Sequence, residues 1–252
     1  MFGQNKIICI AGKNDCAIDF VKFISSKIPK KNILILNNKS DKGKDNWQPS
    51  LKKFAKKNKY NLIKIEDLYE IKNLIFISIE FESIINISKF LSKELFNFHF
   101  SLLPKYRGCH TNFFQIYNGE KFSGVTLHKI DNGIDTGPII DQLKFTIDRN
   151  SNAYNNYNVL MKTSVKLLRK NFKKILVSNY KTRKQILVKG SYYSRNSVDY
   201  NKMKYFNFKK MNLKNFNRIK AFIFPPLQLP FLNDKKVSSI KLINKNYKIN
   251  YD

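Results

Sequence analysis

Asn97, His99 and Asp135 are the residues of this chain best suited to chemistry, the aspartate lying 36 positions beyond the histidine. They occur in Asn97-Phe-His-Phe-Ser-Leu-Leu-Pro104 and Gly133-Ile-Asp-Thr-Gly137. A side-chain amide supplies a neutral hydrogen-bond donor, an imidazole holds a proton near neutral pH, and a carboxylate orients the imidazole. Together these are what acyl transfer to an amine requires.

Their positions depend on the elements around them. Leu95 to Phe100 reads as a strand, so Asn97 and His99 project from one face while Phe96, Phe98 and Phe100 anchor the other. Asp135 falls in the turn-rich Asp131-Asn-Gly-Ile-Asp-Thr-Gly137, where a side chain is presented without packing constraints. Ser101 to His110, punctuated by Pro104 and Gly108, reads as an exposed loop. His110 follows the Arg107-Gly108 turn as a candidate for lining a cleft, and His128, inside an alternating stretch, reads as a packed or surface residue.

Lys6 to Ala11 is a continuous apolar run ending at Gly12. Asp15 to Lys27 then carries Ala17, Ile18, Val21 and Ile24 at helical spacing, with Ile28 next, so a buried strand feeds an amphipathic helix. The turn Gly12-Lys-Asn-Asp15 matches no phosphate-loop pattern and predicts capping by Asn14 or Asp15. Asn32 to Leu36 and Leu74 to Ile79 repeat the strand signal, and Pro49 to Lys57 reads as a helix. Gly124 to Ile130 predicts a half-buried strand with Ile139 to Ile147 as its neighbour, and Asn152 to Ile175 a long helix. This alternation predicts an α/β fold with a mostly parallel sheet and helices on both faces. The pattern changes near residue 178, and two short strands close the chain, which predicts a catalytic domain over 1–177 and a small mixed C-terminal accessory module over 178–252.

The composition, 252 residues and 42% hydrophobic, suits one full core plus a smaller module. A net charge of +29 raises nucleic-acid binding as a reading, but only six of the 47 basic residues are arginine and the lysines are spread along the chain. We expect no nucleic-acid partner, and a surface that attracts small polyanions such as nucleotide diphosphates. Cys9, Cys16 and Cys109 lack metal-ligand spacing and cannot all pair, which predicts a reducing compartment and no metal. The apolar runs are too short for a membrane span or a signal sequence, so a cytoplasmic location is expected.

Four stretches, Asn97-Phe-His-Phe-Ser-Leu-Leu-Pro-Lys-Tyr-Arg-Gly108, Asn118-Gly-Glu120, Gly124-Val-Thr-Leu-His-Lys-Ile-Asp131 and Gly133-Ile-Asp-Thr-Gly-Pro-Ile-Ile140, resemble the folate-dependent formyltransferase family. The resemblance implies a Rossmann-like domain, 10-formyltetrahydrofolate as formyl donor, and catalytic roles for Asn97, His99 and Asp135. It maps the pterin slot to Ile79, Glu80, Phe81 and Ile85 with Asp131 nearby. Further segments, among them Ser191 to Asp199 and Arg218 to Phe224, are similar to the branch acting on nucleotide-linked amino sugars. That branch implies dTDP-4-amino-4,6-dideoxyglucose as acceptor, else GDP-perosamine or a 3-amino sugar, a role in O-antigen or other surface polysaccharide synthesis, and a homodimer. Acceptor contacts are expected at Ser101, Lys105, Tyr106, Arg107, Tyr192, Tyr193, Arg195 and Arg218, with Tyr192 or Tyr193 stacking on the base and Lys or Arg side chains near Arg195 and Arg218 meeting the diphosphate.

Pro138 departs from the aspartate many members carry after Thr-Gly, and Phe224-Pro225-Pro226 departs from the sugar-branch pattern. The alternatives are methionyl-tRNA formyltransferase, which would need a larger C-terminal RNA-binding domain than residues 178–252 offer, formyltetrahydrofolate hydrolase, and, more distantly, a nucleic-acid-binding module.

Overall fold

The computed structural model describes residues 6–252. The apolar run at the start forms β1 (Ile7–Gly12), followed by α1 (Asn14–Ser25), β2 (Ile33–Asn37), α2 (Leu51–Lys57), β3 (Asn61–Leu62), β4 (Leu74–Ile79) and β5 (Leu95–His99). Next come β6 (Arg107–Gly108), α3 (Thr111–Tyr117), β7 (Phe122–Lys129), β8 (Ile139–Thr146) and α4 (Ala153–Leu176). The remainder holds β9 (Tyr192–Tyr193), α5 (Tyr200–Met203), β10 (Tyr205–Phe206), α6 (Leu213–Phe222), β11 (Phe231–Leu232), β12 (Lys235–Ile243) and β13 (Asn246–Tyr251).

Seven strands form one sheet in the order β3-β2-β1-β4-β5-β7-β8, parallel from β3 through β5, with β5 and β7 antiparallel. The α/β class with a mostly parallel sheet and a small mixed C-terminal sheet is therefore as expected. The latter sheet runs β10-β11-β12-β13.

The chain divides into two compact units, each assembled from separated stretches. The first takes residues up to His99, Val125–Leu143 and Met161–Leu187. In it, α1 packs on the sheet through Phe20 against Phe98 and on the later part of α4 through Phe23 against Phe172, both edge to face. All six residues of β4 are buried, as a central parallel strand requires. On the opposite face Cys9, Leu74, Phe76 and Leu95 pack with Leu68, Ile85 and Phe90, which come from short 3-10 turns and loops.

The second unit takes Phe100–Gly124, Lys144–Leu160 and Val188–Asp252. Its core joins Tyr106, Phe113, Phe114 and Ile116 to Val198, Ala221 and Phe222, and a neighbouring cluster joins α6 to the C-terminal sheet through Phe216, Ile219, Val237 and Ile240. Stretches on both sides of residue 177 thus contribute to each unit. Among the described residues no helix is long and apolar enough to cross a membrane.

Three local expectations are corrected. Neither Asn14 nor Asp15 caps α1: the N-cap is Lys13, with no side-chain cap bond, and Asn14 takes φ 65° with its amide turned to Glu80 Oε2. The loop after β5 is not exposed throughout, because Ser101, Leu103 and Tyr106 are buried and the hydroxyl of Ser101 donates to the carbonyl of Lys105 at 2.7 Å. Nor is β7 half-buried: all six residues of Ser123 to His128 are buried, with Ser123 bonded to Gln115 of α3, Thr126 to Gln142 of β8 and His128 to Asn97 of β5.

Candidate active site

Asn97 and His99 leave the same face at the carboxyl end of β5, while Phe96 and Phe98 on the other are buried and hold the strand in register. Asp135 reaches them from the turn between β7 and β8. Its Oδ2 lies 3.4 Å from His99 Nδ1, and its Oδ1 accepts from the Asn97 amide at 3.1 Å. The sequence-predicted trio is thus brought together within the first unit, in surroundings that leave His99 7% exposed.

The turn is built to place that carboxylate. Asp131 Oδ1 accepts from the Gly133 backbone and from the Thr136 hydroxyl, closing the turn on itself. Asp135 is held at φ 54°, a left-handed conformation that aspartate tolerates better than most residues. Gly137 packs against the backbone of Lys129 so closely that a Cβ there would meet its carbonyl oxygen at 1.8 Å. Gln185 donates through Nε2 to the carbonyls of both Asp135 and Gly137, at 3.0 and 2.7 Å.

Two contributors were missed in the sequence. His128, read as a packed or surface residue, is buried, with Nε2 3.3 Å from the Asn97 amide nitrogen and 3.5 Å from Asp135 Oδ1. Its signal was available in principle, since the register places it directly opposite Asn97. Gln185 lies 50 residues from Asp135, and no pattern marks it.

The residues mapped to the pterin also lie in the first unit. Ile79 is fully buried at the end of β4, and Ile85 packs in the core with Leu68 and Phe76, so both side chains serve the interior. Phe81 packs edge-on to Phe76. Glu80 adopts φ 51°, and its carbonyl accepts from the Asn38 amide at 2.9 Å, which fixes the main chain that follows β4. Asp131 is engaged by its own turn.

All eight expected acceptor contacts fall in the second unit. Ser101 is fully buried. Tyr106 bonds Glu120, and its hydroxyl proton is held tightly, burial pushing its pKa up. Lys105 lies 3.6 Å from the same carboxylate. β6 and β9 form a parallel pair that sets Arg107 beside Tyr192 and Gly108 beside Tyr193. Tyr193 is already stacked on Phe114 at 3.7 Å and lies parallel to Tyr106, whereas Tyr192 is 48% exposed, so of the two Tyr192 is the better placed for a base. Arg195 is exposed, and its carbonyl is bonded to His110, which also contacts the Tyr200 hydroxyl and so holds backbone rather than standing free in a cleft. Arg218 lies over the ring of Tyr117. The Nε atoms of Arg107 and Arg218 are buried without a hydrogen-bond partner, which fits an anionic ligand for these two side chains. No group of three or more metal-ligating side chains suited to an ion occurs among the described residues.

A mostly parallel sheet carrying an amide, an imidazole and a carboxylate at the carboxyl end of an inner strand is an α/β arrangement suited to acyl transfer. The sequence profile of the formyl transferase family matches residues 4–171, and the chain belongs to that family. WlaRD, a sugar 3N-formyl transferase whose crystal structure was obtained with dTDP and 5-N-formyl-THF, is 44% identical, with a TM-score of 0.90 over 95% of this chain and 87% of that one. An N-formyltransferase from Helicobacter canadensis, in complex with folinic acid and dTDP-3-aminofucose, is 42% identical, with the same TM-score over 95% and 88%. The methionyl-tRNA formyltransferase of Thermodesulfovibrio yellowstonii is 35% identical over 161 residues, 58% of this chain, and the matched stretch is about half (52%) of that protein's length.

Proposed function

We propose that this protein transfers a formyl group from 10-formyltetrahydrofolate to the amine of a dTDP-linked amino-dideoxy sugar. The observation that carries the reading is the meeting of Asn97, His99 and Asp135 at the end of β5 in a chain 44% identical to a sugar 3N-formyl transferase. The amine attacks the formyl carbon, a new C–N bond forms, the bond to the folate nitrogen breaks, and one proton passes from the amine to that nitrogen. Asn97 and His99 donate to the oxygen on which negative charge builds, while Asp135 orients His99 and helps carry the proton.

The likeness at 44% and 42% to proteins described with 3-amino chemistry supports an amine at carbon 3, ahead of the 4-amino sugar that the sequence segments put first. In the acceptor reading Arg107 and Arg218 meet the diphosphate and Tyr192 the base. Surface polysaccharide synthesis, a cytoplasmic location and a homodimer complete the proposal.

The test is an acceptor screen with 10-formyltetrahydrofolate, read by mass spectrometry, using dTDP-linked 3-amino and 4-amino sugars, a GDP-linked 4-amino sugar, methionyl-tRNA and no acceptor. A product gaining one formyl group with the dTDP 3-amino sugar at the highest kcat/KM is expected. Preference for the 4-amino or GDP sugar overturns the acceptor assignment. Formylation of methionyl-tRNA, or formate release without acceptor, replaces the reading with that of the corresponding enzyme.

A further inference from the structure

We propose that His128 is a positioning residue whose protonation decides whether the Asn97 amide can reach the formyl oxygen, an inference that rests on the formyl-transfer reading. His128 is 2% exposed and faces Asn97 across the antiparallel β5–β7 pair. Its Nδ1 lies 2.7 Å from the carbonyl oxygen of Lys129, an atom that only accepts, so the neutral ring carries its proton on Nδ1. Nε2 then presents a lone pair and accepts one hydrogen of the Asn97 amide at 3.3 Å. The other hydrogen goes to Asp135 Oδ1 at 3.1 Å. An amide nitrogen has two hydrogens, and both are engaged.

Protonation of Nε2 reverses these contacts. Nε2–H faces Asp135 Oδ1, 3.5 Å away, as a donor, and the Asn97 hydrogen that had pointed at the lone pair is released to the oxygen on which charge develops. The titratable groups in contact with this ring are Asp135, on the turn after β7, and His99, on β5, whose ring centre is 6.5 Å away. Asp135 Oδ2 reaches His99 Nδ1, so one carboxylate faces both imidazoles. The neutral ring locks Asn97 and the charged ring frees it.

The test begins on the substrate-free full chain labelled with 15N, titrated by NMR. The expected result is an unprotonated Nε2 on His128 in mildly alkaline solution, with the Asn97 side-chain amide signals shifting at the same midpoint as Nε2 when pH is lowered. An Nε2 already protonated under alkaline conditions, or amide signals that ignore the His128 titration, overturns the proposal. A kinetic arm uses His128→Phe, which keeps a flat ring and removes the acceptor. Wild-type kcat should fall as pH rises through the NMR midpoint, and that fall should vanish in His128→Phe while the acceptor KM changes less than about threefold. A purely structural role would lower kcat by a pH-independent factor and leave the fall in place, which also overturns the proposal. If the two side chains titrate together but no acceptor is formylated, the formyl-transfer reading fails and the His128–Asn97 coupling stands.

Discussion

Asp135 is asked to do two things, to face His99 and to accept from Asn97, and each depends on where its backbone is held. Replacing Asn97 or His99 with Ala should lower kcat by about 10²–10³-fold, the usual cost of losing one donor to a developing oxyanion, with thermal midpoints within about 5 °C of wild type. Asp135→Asn keeps the shape and removes the charge, and a comparable loss is expected. Turnover near wild type in any of the three, measured by product formation, removes that residue from the mechanism. In the proposed mechanism Gln185 acts through Asp135. Its Nε2 clamps the carbonyls on either side of Thr136, while its Oε1 is buried without a hydrogen-bond partner. A left-handed aspartate costs on the order of 1 kcal/mol, which the clamp must offset. Gln185→Leu is expected to lower kcat about tenfold with KM for both substrates nearly unchanged, the signature of a misplaced catalytic group. A rise in KM with kcat intact would instead mean that Gln185 serves binding.

At the level of elements, Lys220 of α6 is 4% exposed, donates to the carbonyl of Arg149 at 2.5 Å and sits 4.4 Å from the centre of the Phe216 ring. Burial pushes its pKa down to about 8 from the ordinary 10.5. Between those values the unfolded chain holds more protons than the folded one, so this group adds stability as pH rises from about 8 to 10.5 and burdens the fold below about 8, by about 3 kcal/mol. Urea unfolding of Lys220→Met against wild type should therefore give a difference most favourable to the variant at neutral pH and shrinking through that window. A pH-independent difference would show that Lys220 does not titrate as a buried amine. The elements most legible in the sequence were those whose cause is local: the apolar runs of β1 and β4, the Asn97/His99 parity of β5, the stripe of α4. What escaped were residues whose environment is set from afar. Thr126 and His128 made β7 look half-exposed, yet Gln142 donates to Thr126 Oγ1 at 2.7 Å and Asn97 meets His128. The Pro104 and Gly108 punctuation likewise read as open loop, although the Tyr106 backbone donates to Ser191, 85 residues on. Polar residues tolerate burial when such partners arrive, and short-range patterns do not record them.

For the whole molecule the unexplained quantity is charge. The chain carries 47 Lys and Arg against 18 Asp and Glu, and several of its ion pairs, such as Lys53–Asp45 and Lys236–Asp252, are exposed and add little to stability. Such an excess raises the local concentration of anions around the whole surface, and it does so without fixed geometry. The proposed substrates, a sugar nucleotide and a folate, are both polyanions, so the field should act on their capture and leave the chemical step alone. Raising sodium chloride from a low level to about 0.5 M, where the Debye length falls to roughly 4 Å, is expected to raise KM for both substrates several-fold while kcat changes by less than about twofold. A neutral osmolyte at matched osmolarity should do neither. If KM is indifferent to salt, the positive charge has no part in gathering substrates and the lysines are only a solvated exterior; if kcat falls as KM rises, salt reaches the cluster of Asn97, His99, His128 and Asp135, which the burial of its two histidines should otherwise shield.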